Sequence, residues 1–322
     1  MDETQSRAGN SLSGVQDSTF LGDVIRGLSS SPKRISPKYF YDECGSALFE
    51  EITRQPEYYV TRCELSILDE AAAQIEAYLP QDCVIVEFGS GSSRKIRRLL
   101  RSSSKITGYV PVDISPEMLK VETAEVARDY PDLRVAPVAA DFTRRFALPA
   151  WALSRPRVGF FPGSTIGNFD PIDAQRLLSD AARSLGPGSL FVVGVDLVKD
   201  SAVLDAAYND AAGVTAKFNL NVLARCNREL GSNFELENFK HRAFFRSDMN
   251  RIEMHLVSTL RQFVRIGEVN FSFDRSESVH TENSYKYTVS GFRDLARIAG
   301  WQPLDVLTDS KTYFSVHILG RA

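Results

Sequence analysis

Short apolar runs alternate with helical patterns through the middle of the chain. Apolar residues recur every three or four positions, which predicts helices at 93–102, 116–129, 171–185 and 289–299. Runs rich in β-branched and aromatic residues predict strands at 84–88, 106–112, 134–139, 157–161, 189–195, 303–308 and 313–319. This alternation is typical of a parallel sheet with right-handed crossovers. We expect an α/β fold with a Rossmann-like sheet that ends in a C-terminal antiparallel hairpin.

The alternation is interrupted near residue 200. Residues 201–230 are predicted to be helical, and residues 239–275 alternate in period two, which indicates antiparallel strands. An insertion of roughly 85 residues is large enough for a small domain. Helices are also predicted at 19–28 and 61–79, and the Ser/Gly-rich segment 1–18 is predicted to be disordered.

These patterns predict two domains. A Rossmann-like domain would be formed by 62–199 and 287–322, and a second, α+β substrate-binding domain by 19–61 and 200–286. The chain has 322 residues, of which 43% are hydrophobic, so it can bury one large core or two modest ones.

The strand at 84–88 is followed by Gly89-Ser90-Gly91 and then by a predicted helix, a typical place for a nucleotide-like cofactor. Asp113 lies 22 residues after Gly91, where its carboxylate could accept two ribose hydroxyls. Arg94 occupies the position of the third glycine of a dinucleotide motif, and Glu87 would place a negative charge where a pyrophosphate binds. The loop therefore favours S-adenosylmethionine, which has a ribose and a positive charge but no phosphate.

Composition and charge narrow the function further. The formal net charge of −3 gives no broad reason to expect nucleic acid or an anionic membrane as a partner. No run reaches the roughly 18 apolar residues of a membrane span, and the polar N-terminus lacks a signal-peptide core. Four cysteines and four histidines occur without metal-ligand spacing. We expect a cytoplasmic monomer that holds no metal.

Two further groups could contact a cofactor. Asp141 and Phe142 follow the third predicted strand and could supply an acceptor for an adenine amine and an apolar ring edge. Lys95 lies in the first turn of the helix 93–102 and could reach the carboxylate of the cofactor. The other basic residues of that helix are interpreted as its solvated face, because the apolar residues share the opposite side.

Three segments could contact a substrate. The loop 163–168 contains two glycines, two hydroxyls and an amide, although it could also be an ordinary turn. Glu282 and Ser284 would share one face of a strand and could bind a ring N–H or a cation; a polar edge strand is the alternative. The tyrosines between residues 39 and 59 could be core packing or an aromatic wall for an alkylammonium group.

Several of these segments together resemble the histidine-specific methyltransferases of ergothioneine biosynthesis. The resemblance extends from about residue 20 to the C-terminus. It rests on six segments in one order: 38–42, 56–59, 163–168, 196–200, 208–215 and 281–284.

The resemblance implies a class I methyltransferase domain that binds S-adenosylmethionine, together with a substrate domain. It implies three methyl transfers to the α-amine of L-histidine, which give hercynine. The matching cofactor positions are Gly89, Lys95, Asp113, Asp141 and Phe142, with Gly91 in the same loop.

The resemblance also implies roles for residues around the substrate. Asn168 and Tyr208 would hold the carboxylate, and Glu282 and Ser284 would engage the imidazole. The remaining positions are Tyr58 and Met254, which would line the ring pocket, and Tyr41, which would lie near the amino group and is a candidate proton acceptor.

Other functions stay open at this stage. Relatives in this family act on other aromatic amino acids such as tryptophan, but Glu282 with Met254 favours histidine, because a carboxylate suits an imidazole N–H. A catalytically silent protein that binds S-adenosylmethionine and senses amino acids is a second alternative. A methyltransferase acting on protein or RNA is a third, and the slightly acidic charge disfavours it.

Overall fold

The computed structural model describes residues 19–91 and 93–322, so the predicted disorder of segment 1–18 lies outside the described residues. The helices are α1 (Phe20–Leu28), α2 (Glu43–Ile52), α3 (Tyr59–Glu70), α4 (Ala72–Tyr78), α5 (Arg94–Ser102), α6 (Pro116–Asp129), α7 (Ala150–Leu153), α8 (Pro171–Leu185), α9 (Ser201–Tyr208), α10 (Val214–Leu230) and α11 (Val289–Ile298). The strands are β1 (Lys33–Arg34), β2 (Cys83–Phe88), β3 (Ile106–Asp113), β4 (Arg134–Val135), β5 (Val138–Ala139), β6 (Arg157–Phe161), β7 (Leu190–Asp196), β8 (Phe239–Arg246), β9 (Arg251–Ser258), β10 (Gln262–Ile266), β11 (Val269–Phe273), β12 (Ser278–Tyr285), β13 (Gln302–Thr308) and β14 (Phe314–Gly320).

The main sheet has the strand order β13-β14-β7-β6-β2-β3-β4, and β5 also pairs with β3. Strands β2 to β7 pair in parallel, whereas β14 is antiparallel to both β7 and β13. The predicted C-terminal antiparallel hairpin and the class I methyltransferase fold are therefore confirmed. Strand β2 shows why the sheet lies at the centre: all six of its residues are buried, as expected for a parallel strand covered on both faces.

Three predicted elements are interrupted in the structure. The strand predicted at 134–139 forms two short pieces, because Pro137 has no N–H to donate to a ladder. The helix predicted at 61–79 divides into α3 and α4 at Ala71, whose φ of −102° and ψ of 17° leave the helical region. The helical segment 201–230 divides at Gly213, where a φ of +68° favours glycine.

The second sheet has the order β1-β12-β9-β8, and β10 and β11 form a separate hairpin. Helices α9 and α10 pack on this sheet, and α2 packs on α10. The antiparallel strands predicted within 239–275 are confirmed as β8 to β11. Among the described residues, none of the helices combines the length and the apolar content that crossing a bilayer requires.

The two sheets meet at the carboxyl end of β7. The N–H of Tyr287, just after β12, donates to the carbonyl of Asp196, and the N–H of Val198 donates to the carbonyl of Tyr287. These bonds bring the end of β12 to the edge of the main sheet where parallel strands end. In open α/β folds, ligands bind in the crevice outside that edge. The crevice between the sheets is therefore the candidate ligand-binding site.

Candidate active site

The glycine loop after β2 lies against Phe142. Gly89 has a φ of +76°, and a Cβ there would lie 3.2 Å from Cε1 of Phe142, so a larger residue would be strained and crowded. A Cβ on Gly91 would meet no described atom within 4 Å. The loop thus offers an open backbone surface beside an aromatic ring, which suits the ribose and base of a nucleoside.

Two carboxylates lie at or just after the ends of neighbouring strands. Asp113 ends β3, and its carboxylate accepts a hydrogen bond from the backbone N–H of Ser115 at 3.1 Å. Burial raises the pKa of Asp113, and the N–H groups of Ser115 and Ile114 oppose that shift. Asp141 is exposed and accepts hydrogen bonds from the N–H and the hydroxyl of Thr143 at 2.9 and 2.6 Å. Both carboxylates lie on the cofactor side, and their contacts with a cofactor stay predictions.

Lys95 is fixed by a residue that the sequence analysis missed. Its ammonium lies 2.7 Å from the carboxylate of Glu64, a fully buried residue of α3. The same carboxylate accepts the backbone N–H of Gly163 at 2.9 Å. Glu64 therefore ties the helix after the glycine loop to the loop after β6. An acid on the apolar face of a predicted helix was the signal that could have identified it.

The sequence analysis expected a negative charge on Glu87 to disfavour a pyrophosphate, and this expectation is wrong. Its side chain is fully buried in the sheet and accepts a hydrogen bond from the hydroxyl of Tyr109. Burial raises the pKa of Glu87 to about 8, although the Tyr109 hydrogen bond and the charge of Lys95 lower it. At neutral pH Glu87 is therefore mostly uncharged, and it does not repel a phosphate as a surface carboxylate would.

On the substrate side, a β-bulge determines the direction of Glu282. His280 pairs with His255, but the next pair along β12 is Glu282 with Met254, so Thr281 is the extra residue. Without the bulge, Thr281 would face Met254 and Glu282 would point to the other face of the sheet. Glu282 and Ser284 share one face, as predicted, because regular alternation resumes after the bulge.

Buried side chains hold this bulge in place. The hydroxyl of Thr281 lies 2.7 Å from the side-chain oxygen of Asn219 and 3.0 Å from the carbonyl oxygen of Met254. The amide of Asn219, a fully buried residue of α10, lies 3.1 Å from the carbonyl oxygen of His255 and donates to it. Helix α10 is thus bonded to both sides of the irregular pairing. Asn219 was not identified from the sequence, because its hydrogen-bond partners lie 22 to 62 residues away in the chain.

Glu282 lies in an environment that changes its acidity. It is only 9% exposed, and burial raises its pKa to about 7, while the charge of Lys286 lowers it. A carboxylate that is part-ionised at neutral pH can accept a hydrogen bond from a ring N–H. Met254 lies opposite and is fully buried, so the neighbouring surface is apolar. This pair suits a small aromatic ring with one polar edge.

Ser284 and Tyr208 form a hydrogen-bonded pair. The hydroxyl of Tyr208, the last residue of α9, donates to the oxygen of Ser284 at 2.7 Å. Burial raises the pKa of Tyr208, and the charge of Lys286 opposes that rise. Because the single proton of Tyr208 is directed at Ser284, its predicted bond to a carboxylate would require the hydroxyl to rotate.

Four aromatic side chains form a wall next to these groups. The ring of Phe49 lies 5.7 Å from that of Tyr41, 6.2 Å from that of Tyr58 and 6.0 Å from that of Phe218. Burial raises the pKa of Tyr58 and, although the residue is 39% exposed, desolvation also raises that of Tyr41; the negative charge of Glu282 adds to both shifts. Tyr41 is thus a protonated hydroxyl at neutral pH, which argues against a phenolate as proton acceptor.

Tyr41 is also influenced by carboxylates on both sides of the crevice. The charges of Glu282 on the second sheet and of Asp113 on the main sheet both raise its pKa. Tyr39 and Tyr59 do not belong to the wall, although both lie in the tyrosine-rich segment. The hydroxyl of Tyr59 donates to Asp196, and that of Tyr39 donates to Asp23.

Asn168 lies at the end of the loop after β6, in a short 3₁₀ helix (Thr165–Asn168). This loop packs on β12, since a Cβ on Gly167 would lie 2.7 Å from the carbonyl oxygen of Tyr285. The oxygen of Ser164, which has a left-handed φ of +57°, accepts the N–H of Asp196 at 2.9 Å. Asn168 is therefore held beside the strand that carries Glu282 and Ser284.

A second cluster lies on the opposite face of the same strands. Potential ligand atoms of Glu253, His255 and His280 lie within 4.8 Å of one another. The two imidazoles are stacked, with centroids 4.8 Å apart and planes 16° apart, and the guanidinium of Arg251 bonds to Glu253. Stacked rings direct their nitrogen lone pairs along parallel planes, so the arrangement does not favour a shared metal ion.

Comparison with known proteins gives one consistent family. The family model described as histidine-specific methyltransferase, SAM-dependent, matches residues 20–321. A histidine N-alpha-methyltransferase from Mycolicibacterium smegmatis is 42% identical over 274 residues, which cover 82% of this chain and 83% of that protein. One from Mycobacterium tuberculosis is 38% identical and covers 93% of this chain and 94% of that protein. Ergothioneine biosynthesis protein 1 of Neurospora crassa is 28% identical over 90% of this chain and 33% of that protein.

Proposed function

Because the chain belongs to the histidine-specific, SAM-dependent methyltransferases, we propose that it methylates the α-amine of L-histidine three times. The product would be hercynine, and the reaction would be the first step of ergothioneine biosynthesis. The observation that carries this proposal is the pair formed by Glu282 and Met254 across the bulge of β12. It presents a carboxylate beside an apolar surface, as an imidazole with one N–H requires.

The other substrate-binding residues support the same ligand. Ser284 shares the face of Glu282, and Tyr58 contributes to the aromatic wall near both. We propose that Asn168 and Tyr208 bind the carboxylate, with the hydroxyl of Tyr208 turning from Ser284 when the substrate enters. Fixing the ring at one end and the carboxylate at the other leaves the α-amine free to face the main sheet.

The residues of the main sheet fit the cofactor of this family. When bound, S-adenosylmethionine supplies an electrophilic methyl group on a positively charged sulfur. Gly89 and Gly91 leave the loop backbone accessible, and Phe142 offers an apolar ring edge beside it. We propose that Asp113 accepts ribose hydroxyls, that Asp141 accepts from the adenine amine and that Lys95 bonds the carboxylate of the cofactor.

The amine must lose a proton before it can react, because an ammonium has no lone pair. We propose that Tyr41 lies next to this amine as a protonated hydroxyl, whose oxygen takes a proton from the ammonium as its own proton passes to water, so that the tyrosine stays neutral. A phenolate is disfavoured, since burial and the charges of Glu282 and Asp113 raise the pKa of Tyr41. Orientation of the amine would supply most of the rate, as effective molarities in oriented reactions reach about 10⁵ M or more.

Mass spectrometry of the products tests this function. The protein is incubated with S-adenosylmethionine and each of the twenty amino acids, and we expect one, two and three added methyl groups on histidine alone. Methylation of tryptophan in place of histidine would favour the alternative substrate. Binding of cofactor and histidine without any methylated product would favour a sensor and would overturn the proposal.

Three predictions from the sequence stay proposals. These are the division into a cofactor domain and a substrate domain, the monomeric state, and activity in the cytoplasm without nucleic acid. The arrangement of two sheets around one crevice supports the first of them.

A further inference from the structure

Lys286 is a buried cation immediately behind the proposed ring-binding residues. Its side chain is 1% exposed, and its ammonium lies 2.8 Å from the carboxylate of Asp196 at the end of β7. The same ammonium lies 2.8 Å from the oxygen of Ser284 and 3.1 Å from the oxygen of Tyr208. An ammonium has three N–H donors and no acceptor, so these three contacts use all of its donors.

The hydrogen bonds around Ser284 determine where its proton can go. A hydroxyl has two acceptor lone pairs and one proton. One lone pair of Ser284 accepts from Lys286, and the other accepts from Tyr208. Among the described residues, no further partner of this hydroxyl is found, so its own proton is available for a ligand. With Tyr208 in this orientation, the hydroxyl can act toward a ligand only as a donor.

When Tyr208 turns toward a substrate carboxylate, one lone pair of Ser284 is freed, but the ammonium of Lys286 still favours Ser284 as a donor. Lys286 still occupies one lone pair of Ser284, and its positive charge at 2.8 Å orients the O–H dipole away from itself. The proton of Ser284 then points away from the ammonium, toward the face that Glu282 shares. Lys286 thus determines that the Ser284 hydroxyl donates a hydrogen bond to a ligand instead of accepting one.

We propose that Lys286 is a positioning residue that selects the neutral imidazole by making Ser284 a hydrogen-bond donor. This inference rests on the proposed function. Glu282 would accept the one N–H of the ring, and Ser284 would donate to the ring nitrogen that carries a lone pair. An indole has an N–H but no such nitrogen, so it would leave the proton of Ser284 without a partner. Lys286 would therefore contribute to discrimination between histidine and tryptophan without touching either.

If Lys286 served only to neutralise Asp196, replacing the other lysine beside Asp196 should have the same effect. Asp196 is fully buried and is neutralised by two lysines, since Lys199 also lies 2.6 Å from it. Lys199 donates to Tyr59 and to the carbonyl of Leu197, and no hydrogen bond joins it to Ser284 or Tyr208 among the described residues. Lys199 is thus a matched control, because it has the same charge and the same buried partner.

The experiment compares Lys286→Met with Lys199→Met. We expect Lys286→Met to raise KM for histidine at least tenfold and to lower the preference for histidine over tryptophan in kcat/KM. We expect Lys199→Met to keep both within about twofold, and both variants to keep KM for S-adenosylmethionine within about twofold. Equal effects of the two substitutions on histidine and on the preference would overturn the proposal and leave a counter-ion role.

A double-mutant cycle with Ser284→Ala tests whether Lys286 acts through Ser284. If it does, adding Lys286→Met to Ser284→Ala produces little further loss in kcat/KM for histidine, because the hydroxyl to be oriented is already absent. Fold-changes that multiply would show that the lysine acts independently of Ser284 and would overturn the proposal.

A measurement on the unmodified protein covers the case in which Lys286→Met does not fold. Ring-¹⁵N-labelled histidine is bound together with S-adenosylhomocysteine, and its nitrogen chemical shifts are recorded by NMR. We expect one protonated nitrogen and one unprotonated, hydrogen-bonded nitrogen. Two protonated nitrogens would overturn the proposal. Absence of any methyl transfer to histidine by the unmodified protein would instead overturn the proposed function, so the two failures are distinguishable.

Discussion

Glu282 lies directly opposite Met254 in the antiparallel pair of β12 and β9, although regular pairing from His280 would have placed Thr281 there. The extra residue turns a carboxylate toward the crevice that would otherwise lie on the outer face with Glu253. The proposed recognition of the ring therefore depends on a local irregularity of one strand. The bulge in turn depends on a buried hydrogen bond to Asn219 on α10.

Replacing Glu282 tests its role in ring recognition. We expect Glu282→Ala to lower kcat/KM for histidine about 10- to 100-fold, because a hydrogen bond to a charged group is worth about 1.5–3 kcal/mol. KM for S-adenosylmethionine should change little, since the proposed cofactor-binding residues lie on the main sheet. Steady-state kinetics with Glu268→Gln, an exposed acid in the turn between β10 and β11, provide the control. Unchanged activity on histidine would contradict this role.

The raised pKa of Glu282 should make activity on histidine depend on pH. Glu282 accepts a ring N–H only as a carboxylate, and burial raises its pKa to about 7. Activity of the unmodified protein on histidine should therefore fall as the pH drops below about 7 and the carboxylate gains a proton. Free histidine itself titrates near pH 6.5, so the comparison is with Glu282→Gln, which should lose the part of the acidic decline that belongs to the enzyme. Identical pH profiles of the two proteins would count against this assignment.

The bulge can be tested at Thr281. Thr281→Val keeps the branched shape but leaves the buried oxygen of Asn219 without its donor, which costs about 1–3 kcal/mol of folding stability. We expect a several-fold rise in KM for histidine, because Glu282 is no longer held in one direction. Unfolding in urea and kinetics measure both effects. Thr281→Ser should restore them, and Thr308→Val, at an exposed strand position, should have neither.

The raised pKa of Glu87 should make folding stability depend on pH. Its pKa is about 8 in the folded protein and near 4.5 when solvated. Between these values the folded protein binds more protons than the unfolded chain, so this group lowers stability as the pH rises, by up to about 1.4 kcal/mol per pH unit. Glu87→Gln has no proton to lose and should gain stability relative to the unmodified protein between about pH 5.5 and about pH 8.

Urea unfolding at both pH values measures this difference. Glu268→Gln is again a suitable control, because that side chain is exposed. A constant difference in the free energy of unfolding between Glu87→Gln and the unmodified protein at the two pH values would show that Glu87 is ionised in the folded state.

Asp113 separates the cofactor side from the substrate side. Asp113→Ala removes the carboxylate proposed to accept ribose hydroxyls, and we expect KM for S-adenosylmethionine to rise about 10- to 100-fold. The residues proposed to bind histidine lie mainly on the other sheet, so KM for histidine should change far less. Isothermal titration with S-adenosylhomocysteine measures the loss directly, and Asp132→Ala, an exposed acid before β4, should bind normally.

Much of the fold follows from local sequence patterns. Strand β6 and helix α8 have the predicted bounds, because a short apolar run and helix periodicity are properties of neighbouring residues. Helix α2 was not predicted, since its sequence lies in a turn-rich, aromatic segment and it forms by packing on α10. The interruption of the third strand at Pro137 could have been inferred from the missing N–H, but the predicted run continued through it.

The sequence by itself determined the order of strands and helices in the main sheet, the glycine loop, the acid at the end of β3 and the shared face of Glu282 and Ser284. Each of these depends on residues close together in the chain. Only the tertiary structure decided that the pKa of Glu87 is raised so that it is mostly uncharged at neutral pH, that Glu64 binds Lys95, and that Lys286 donates a hydrogen bond to Ser284. Burial and contacts between distant segments set these properties, because the proton affinity of a side chain and the direction of its hydrogen bonds depend on every group packed around it.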